Sequence, residues 1–203
     1  MNNIMFFDCE TNGLPKDWRA PMQDLDNWPR VIQLAWATYN HNGESQLAAC
    51  DMILPDGWVI PQQQFWIENG YSTERSMELG KPIIMVLDKF VRALQDCDVI
   101  VSHNMSFDYN VVGAEMLRAG IKSENRPIRI CTKEATTEWC QIPFPGRKQY
   151  PGMGRQTYKW PKLSELHEKI FGTGFDGAHD AMADVEALKN CFFKLMDLKI
   201  INL

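Results

Sequence analysis

Three short segments of this chain place acidic residues where a divalent-cation site would need them: Asp8-Cys9-Glu10, His103 to Asp108, and His179 to Asp184. Carboxylates gathered in a fold repel one another, by ~4 kcal/mol per pair at ~4 Å and an effective dielectric near 20. Divalent cations turn that repulsion into binding. A histidine beside such a site supplies a proton acceptor, so the set reads as metal ligands plus a general base for hydrolysis.

Spacing tests each segment. Residues two apart in a strand face the same side, so Asp8 and Glu10 point together and Cys9 points to the other face. Asp-x-Glu alone is a weak signal, more often two solvated acids. Here the preceding residues, Ile4-Met5-Phe6-Phe7, are apolar, and a central strand does not bury acids without a purpose. Asp108 falls in the first turn of an expected helix, where amide dipoles favour negative charge; by itself it reads as an ordinary helix-start aspartate. Asp184 flanks the apolar stripe Val185, Leu188, Phe192 and Leu195 and should face the sheet. His179 precedes Asp184 by five positions, an offset of ~140° on an ideal helix. The two serve one site only if His179 lies in the loop before the helix, and Gly174, Gly177 and a capping Asp180 permit that.

The elements that must position these groups follow from periodicity. Ile4–Glu10, Val31–Tyr39 and Gln46–Leu54 read as three consecutive strands, the first central. Gly13, Pro15, Pro21 and Pro29 make residues 12–30 a long loop, a kind that is more often functional than accidental. Helical spacing runs from Lys81 to Leu94, Val99–Val101 is a short buried strand, and a helix spans Ser106 to Ala119, ending at Gly120. Ile128–Cys131 adds a strand, and helices follow over 162–171, closed by Gly172, and 180–198. The order predicts an α/β fold, a mixed sheet with helices on its faces, in a single domain over residues 1–203.

Bulk properties bound the function. The 203 residues are 45% hydrophobic and 11% aromatic, enough for a sizeable core. A net charge of -5 argues against a protein that coats nucleic acid indiscriminately, yet permits one that grips a few nucleotides. Six cysteines without CxxC spacing read as reduced thiols. Neither a signal sequence nor an apolar run approaching ~20 residues is present, so the expectation is a cytoplasmic protein without a membrane partner.

The three motifs, Phe7-Asp8-Cys9-Glu10-Thr11-Asn12-Gly13-Leu14, Ser102-His103-Asn104-Met105-Ser106-Phe107-Asp108 and His179-Asp180-Ala181-Met182-Ala183-Asp184, together resemble the DEDDh family of 3′-to-5′ exonucleases. The related branch with a catalytic tyrosine has it four positions before the last aspartate, where this chain has Asp180. The resemblance implies a ribonuclease H-like fold with a five-stranded mixed sheet and helices on both faces. It implies two Mg²⁺ or Mn²⁺ ions held by Asp8, Glu10, Asp108 and Asp184, with His179 as general base and Glu10 counted with it in the catalytic set. The implied reaction is release of nucleoside 5′-monophosphates from single-stranded 3′ ends, DNA favoured over RNA, with a polymerase as partner. Thr11 and Leu14 would contact the terminal nucleotide and Asn104 its sugar or base. Asn12, where threonine is frequent, and the length of the loop from Pro15 to Pro29 depart from the pattern.

A second feature is a basic, aromatic stretch. Residues 142–162 carry Arg147, Lys148, Arg155, Lys159 and Lys162 with no acid, +5 against -10 for the remainder, interleaved with Tyr150, Tyr158 and Trp160. That combination suits stacking on unpaired bases beside phosphate contacts, although a solvated loop is an equal reading. The competing functions are an RNA-trimming exoribonuclease, a non-catalytic nucleic-acid- or polymerase-binding module, and a phosphatase of small nucleotides. Matched DNA and RNA oligonucleotides discriminate the first; retention of all five expected groups disfavours the second.

Overall fold

The computed structural model describes residues 3–145 and 158–203. Among these residues twelve elements follow in chain order: β1 (Ile4–Thr11), β2 (Val31–Tyr39), β3 (Ser45–Met52), α1 (Gln64–Glu68), α2 (Thr73–Leu79), α3 (Ile83–Gln95), β4 (Val99–Ser102), α4 (Met105–Arg118), β5 (Ile128–Cys131), α5 (Thr132–Cys140), α6 (Leu163–Phe171) and α7 (Ala181–Asp197). The five strands form one sheet in the order β3-β2-β1-β4-β5. Strands β1, β2 and β3 pair antiparallel, whereas β4 joins β1, and β5 joins β4, in parallel. The expected mixed sheet with β1 at its centre is what forms.

Burial on both faces explains the apolar run of β1. Met5 and Phe7 pack with Val86, Leu87 and Phe90 of α3 and Val111 and Val112 of α4. Ile4 and Phe6 pack on the other side with Leu166 of α6 and Val185, Leu188, Phe192 and Leu195 of α7. Helices therefore cover both faces, and the α7 stripe read from the sequence is the one that docks. β3 lies at the sheet edge and leaves most of its side chains exposed, as an outer strand does.

Residues 12–30 form no helix or strand, yet the loop is fastened at several points. Glu115 of α4, only 1% exposed, accepts from Arg30 Nε at 2.7 Å and from Val31 N at 3.2 Å. Arg118 donates to the carbonyls of Leu25 and Trp28 at 2.5 and 2.7 Å. Asn27 exchanges hydrogen bonds with the backbone of Asp17.

Three helices go beyond the sequence reading. α1 and α2, of five and seven residues, are too short for a 3.6-residue pattern to declare itself. α5 is rich in threonine, a weak helix former, but Thr136 and Thr137 turn their hydroxyls onto the carbonyls of Thr132 and Lys133. The third strand stops two residues short of the expected Leu54. Ile53 instead bridges to Lys81, and Leu54 N donates to Lys81 O. Among the described residues no helix is long and apolar enough to cross a membrane. The cysteines are free, with Cys50 exposed.

Candidate metal centre

The carboxyl ends of β1 and β4 adjoin in the parallel pair, and the first two motifs occupy them. Asp8 and Glu10 lie on β1 opposite Ala35 and Gln33 of β2, and a register shift follows directly between Glu10 and Thr11. Such an irregularity re-aims the strand where a site needs it. Asp108 enters from the first turn of α4 and is buried. Its carboxylate accepts from Ser102 Oγ at 2.9 Å and from Cys9 Sγ at 3.4 Å. Cys9, which faces away from Asp8 and Glu10, thus meets the acid that comes from the other side of the sheet.

The third motif meets the first two through α7. Asp180 caps the helix, accepting from Met182 N and Ala183 N. One turn later Asp184 reaches the strand end. His179 lies in the preceding loop, as the angular argument requires, with φ of +73°, a left-handed conformation uncommon for a residue other than glycine. Both its backbone groups are engaged: its N–H donates to Asp184 Oδ2 at 3.1 Å, and its carbonyl accepts from Tyr71 Oη at 2.9 Å. Ligand atoms of Glu10, His179 and Asp184 fall within 4.8 Å of one another. Asp8 and Asp108 stand beside this group, close enough for their charges to act on each other and on Glu10 and Asp184.

The electrostatics are those of acids crowded away from water. Burial, followed by the charges of Asp184 and Asp108, pushes Glu10 up to about 8. Burial raises Asp108 to about 6 against the opposing hydrogen bonds from Ser102 and Cys9. Burial raises Asp184 to about 6 against the bond from His179 N. Asp8 is raised well above the usual carboxylate range by burial and then by Asp108, Asp184 and Glu10. Four hard oxygen donors that hold protons this tightly, with one imidazole at their rim, fit a divalent cation, whose charge would displace the protons and relieve the repulsion.

Sequence reasoning missed the residues that hold His179. The Phe65 ring stands edge-on to the imidazole with centroids 5.2 Å apart. Tyr71 Oη contacts both His179 O and Gln33 Oε1, and Gln33 Oε1 also accepts from Ala181 N at 3.0 Å. Trp66 Nε1 donates to Thr11 O at 2.9 Å. One short segment, 65–71, therefore touches both the loop of the third motif and the strand end of the first. Only its aromatic density marked it in the sequence.

The expected substrate contacts lie at the end of β1, in the loop that follows it, and at the start of α4. Leu14 is 71% exposed at the start of the long loop. Thr11 Oγ1 donates to Gly13 O at 2.7 Å, shaping that turn. Asn104 precedes α4, and its Oδ1 accepts from Lys133 Nζ at 2.6 Å. Of the basic stretch, Tyr158, Lys159, Trp160 and Lys162 are described; Arg147, Lys148, Tyr150 and Arg155 lie outside the described residues.

No protein-family profile matches the chain. It is 28% identical over 187 residues to the PolC-type DNA polymerase III of Streptococcus suis (strain 98HAH33), covering 92% of this chain and 11% of that protein. Against the PolC-type enzyme of Lactococcus lactis subsp. lactis (strain IL1403) it is 26% identical over 196 residues, covering 97% and 10%. The chain thus spans about a tenth of the length of the curated relatives it matches. Among solved structures, E. coli exonuclease I in complex with a dT13 oligonucleotide superposes with a TM-score of 0.71 at 19% identity, over 97% of this chain and 41% of that one. The zinc-bound form of the E. coli exonuclease I complex with single-stranded DNA gives 0.71 at 19% identity, over 98% and 41%. Exonuclease I from Methylocaldum szegediense gives 0.70 at 18% identity, over 97% and 41%. The fold is the ribonuclease H-like fold of exonuclease I, as the motifs implied.

Proposed function

We propose that this chain is a DEDDh-type 3′-to-5′ exonuclease, one domain over residues 1–203, that hydrolyses terminal phosphodiesters of single-stranded DNA to release nucleoside 5′-monophosphates. The observation that carries this reading is the convergence of Glu10, His179 and Asp184 within 4.8 Å, from a central strand, a loop and a helix. Asp8, Glu10, Asp108 and Asp184 would hold two divalent cations, Mg²⁺ or Mn²⁺. Bound there, such ions neutralise the scissile phosphate and make water a stronger acid.

The chain's own groups do the rest. A ring nitrogen of His179 accepts the proton of the attacking water, and its exposed loop position lets the protonated ring return that proton to solvent. Ser102 and Cys9 keep Asp108 turned toward the centre. Leu14 and Thr11 contact the terminal nucleotide, and Asn104 approaches its sugar or base. DNA over RNA is supported by the relatives, which are DNA polymerases and an exonuclease held with deoxyoligonucleotides. The PolC likeness likewise favours a polymerase as partner, and the free cysteines suit a reducing cytoplasmic setting.

The test is digestion of 5′-labelled single-stranded DNA and RNA of one sequence with Mg²⁺ or Mn²⁺, with a chelator and the Asp184→Asn variant as controls. A ladder shortening from the 3′ end, faster on DNA and absent in both controls, is expected. Intact DNA and RNA under every condition would overturn the reading.

A further inference from the structure

An exposed tryptophan stands against α5, on the segment that leads into α6. Trp160 keeps 52% of its surface exposed, and the ammonium of Lys133 on α5 lies 4.2 Å from its ring centre. The same ammonium donates to Asn104 Oδ1 at 2.6 Å, four residues before Asp108. Both partners are uncharged, so neither neutralises Lys133. Burial lowers its pKa, against the opposing pull of the Glu134 and Asp108 carboxylates. Asn104 O also accepts from Asp108 N at 3.1 Å, so the residue that holds the Lys133 ammonium is itself bonded to the backbone of a candidate metal ligand.

Half-buried His103 ties the two segments together. Its Nε2 donates to Pro161 O at 2.9 Å, and its Nδ1 accepts from Thr132 Oγ1 at 3.0 Å. Burial pushes its pKa down to about 4, so the ring is neutral at physiological pH and keeps one tautomer. Lys133 N donates to His103 O at 3.1 Å, which ties α5 to the second motif. On the other side of Trp160, Lys159 Nζ bonds both oxygens of Glu165 at 2.6 Å. A tryptophan fixed through its neighbours and still half exposed is a platform rather than a core residue.

We propose, resting on the exonuclease reading of the metal centre, that Lys133 and Trp160 form a subsite for a nucleotide upstream of the terminal one. Trp160 stacks on the unpaired base, and Lys133 pairs with the adjoining phosphate. The terminal nucleotide belongs at the β1 and α7 end of the opening, with Leu14 and Thr11. Lys133 joins Trp160 to Asn104, so the pair adjoins the residue expected to meet the sugar or base. In the sequence Trp160 belongs to the basic stretch 142–162, a composition that suits a polyanionic ligand.

The experiment is fluorescence anisotropy with 5′-fluorescein oligothymidylates of two to eight nucleotides, in Ca²⁺ to suppress turnover, with thymidine 5′-monophosphate as competitor. For the unaltered protein, affinity should rise by a step at one chain length. Trp160→Ala should remove that step, weakening the longer oligomers about tenfold or more with no comparable change for the mononucleotide. Trp160→Phe should retain most of the step and Trp160→Leu little, a distinction that a merely structural role would not produce. Lys133→Met should reduce the salt slope of the longer oligomers by ~0.7, one phosphate contact on a single strand. Thermal melting of each variant separates unfolding from lost contact. An unchanged step in both Trp160→Ala and Lys133→Met would overturn the subsite alone. So would equal loss for the mononucleotide and the octamer. If the unaltered protein binds no oligonucleotide of any length, the exonuclease reading itself falls.

Discussion

Phe65 stands edge-on to His179 with ring centroids 5.2 Å apart, and Tyr71 from the same segment donates to the His179 carbonyl. The histidine is therefore held at its ring and at its backbone, in a left-handed conformation that costs on the order of 1–3 kcal/mol when nothing supports it. His179→Ala should lower turnover by roughly 10²- to 10⁴-fold, the usual contribution of a positioned general base. Phe65→Ala and Tyr71→Phe should lower kcat by roughly 10- to 100-fold with little change in KM, because a displaced base still leaves substrate binding intact. Single-turnover hydrolysis of a labelled oligonucleotide measures both. Full activity in His179→Ala would remove it from the mechanism.

Asp184→Asn should abolish turnover while the metal-free protein melts at the same or a higher temperature. The amide oxygen can still accept from His179 N, and one charge leaves a crowded cluster. Thermal melting in a chelator, beside the digestion assay, checks this. A large drop in melting temperature would assign the lost activity to unfolding.

Stability of the metal-free protein should fall as pH rises. Glu10 moves from 4.5 up to about 8 on folding, and Asp108 and Asp184 from 3.8 up to about 6. A carboxyl raised in this way contributes stability that is complete below its unfolded pKa and is lost as pH climbs through its folded one. The loss should run from about pH 4 to pH 8, at up to ~1.4 kcal/mol per pH unit for each proton released. His103, lowered to about 4, works the other way, its stabilisation fading as pH drops below ~6.5. Comparing melts with those of Glu10→Gln isolates the carboxyl contribution: the variant should be the more stable of the two at pH 8 and lose that advantage at pH 5. Mn²⁺ should raise the melting temperature of the unaltered protein far more at pH 8 than at pH 5.

Ser102→Ala should weaken metal binding rather than chemistry. Its hydroxyl is 2.9 Å from Asp108 Oδ2 and lowers the pKa of that acid, so its removal favours the protonated carboxyl. A hydrogen bond to a charged group is worth ~1.5–3 kcal/mol. The Mn²⁺ concentration giving half-maximal rate should rise by roughly tenfold or more, with kcat recovered at saturating metal. A kcat loss that metal does not restore would mean that Ser102 acts elsewhere.

Much of the fold was legible because its signals are local. The apolar run Ile4–Phe7, interrupted by acids only at Asp8 and Glu10, marked a central strand ending in a site, and β1 is that strand. The Asp180 cap and the Val185 to Leu195 stripe marked α7 and the face it buries. Gly172 marked the end of α6, which it closes at φ +76°. α1 and α2 were not legible, since two or fewer turns carry little periodicity and depend on tertiary contacts.

The sequence by itself determined which groups can do chemistry. The order of the acids and their strand and helix spacing follow from backbone geometry, which repeats every two or 3.6 residues whatever surrounds it. Tertiary structure alone decided what those groups become. Burial and mutual repulsion raise the carboxyls, Ser102 and Cys9 turn Asp108 inward, and Phe65 and Tyr71 hold His179 from more than a hundred residues away. Desolvation and contacts between distant segments exist only once the chain has closed on itself, so no local pattern encodes them.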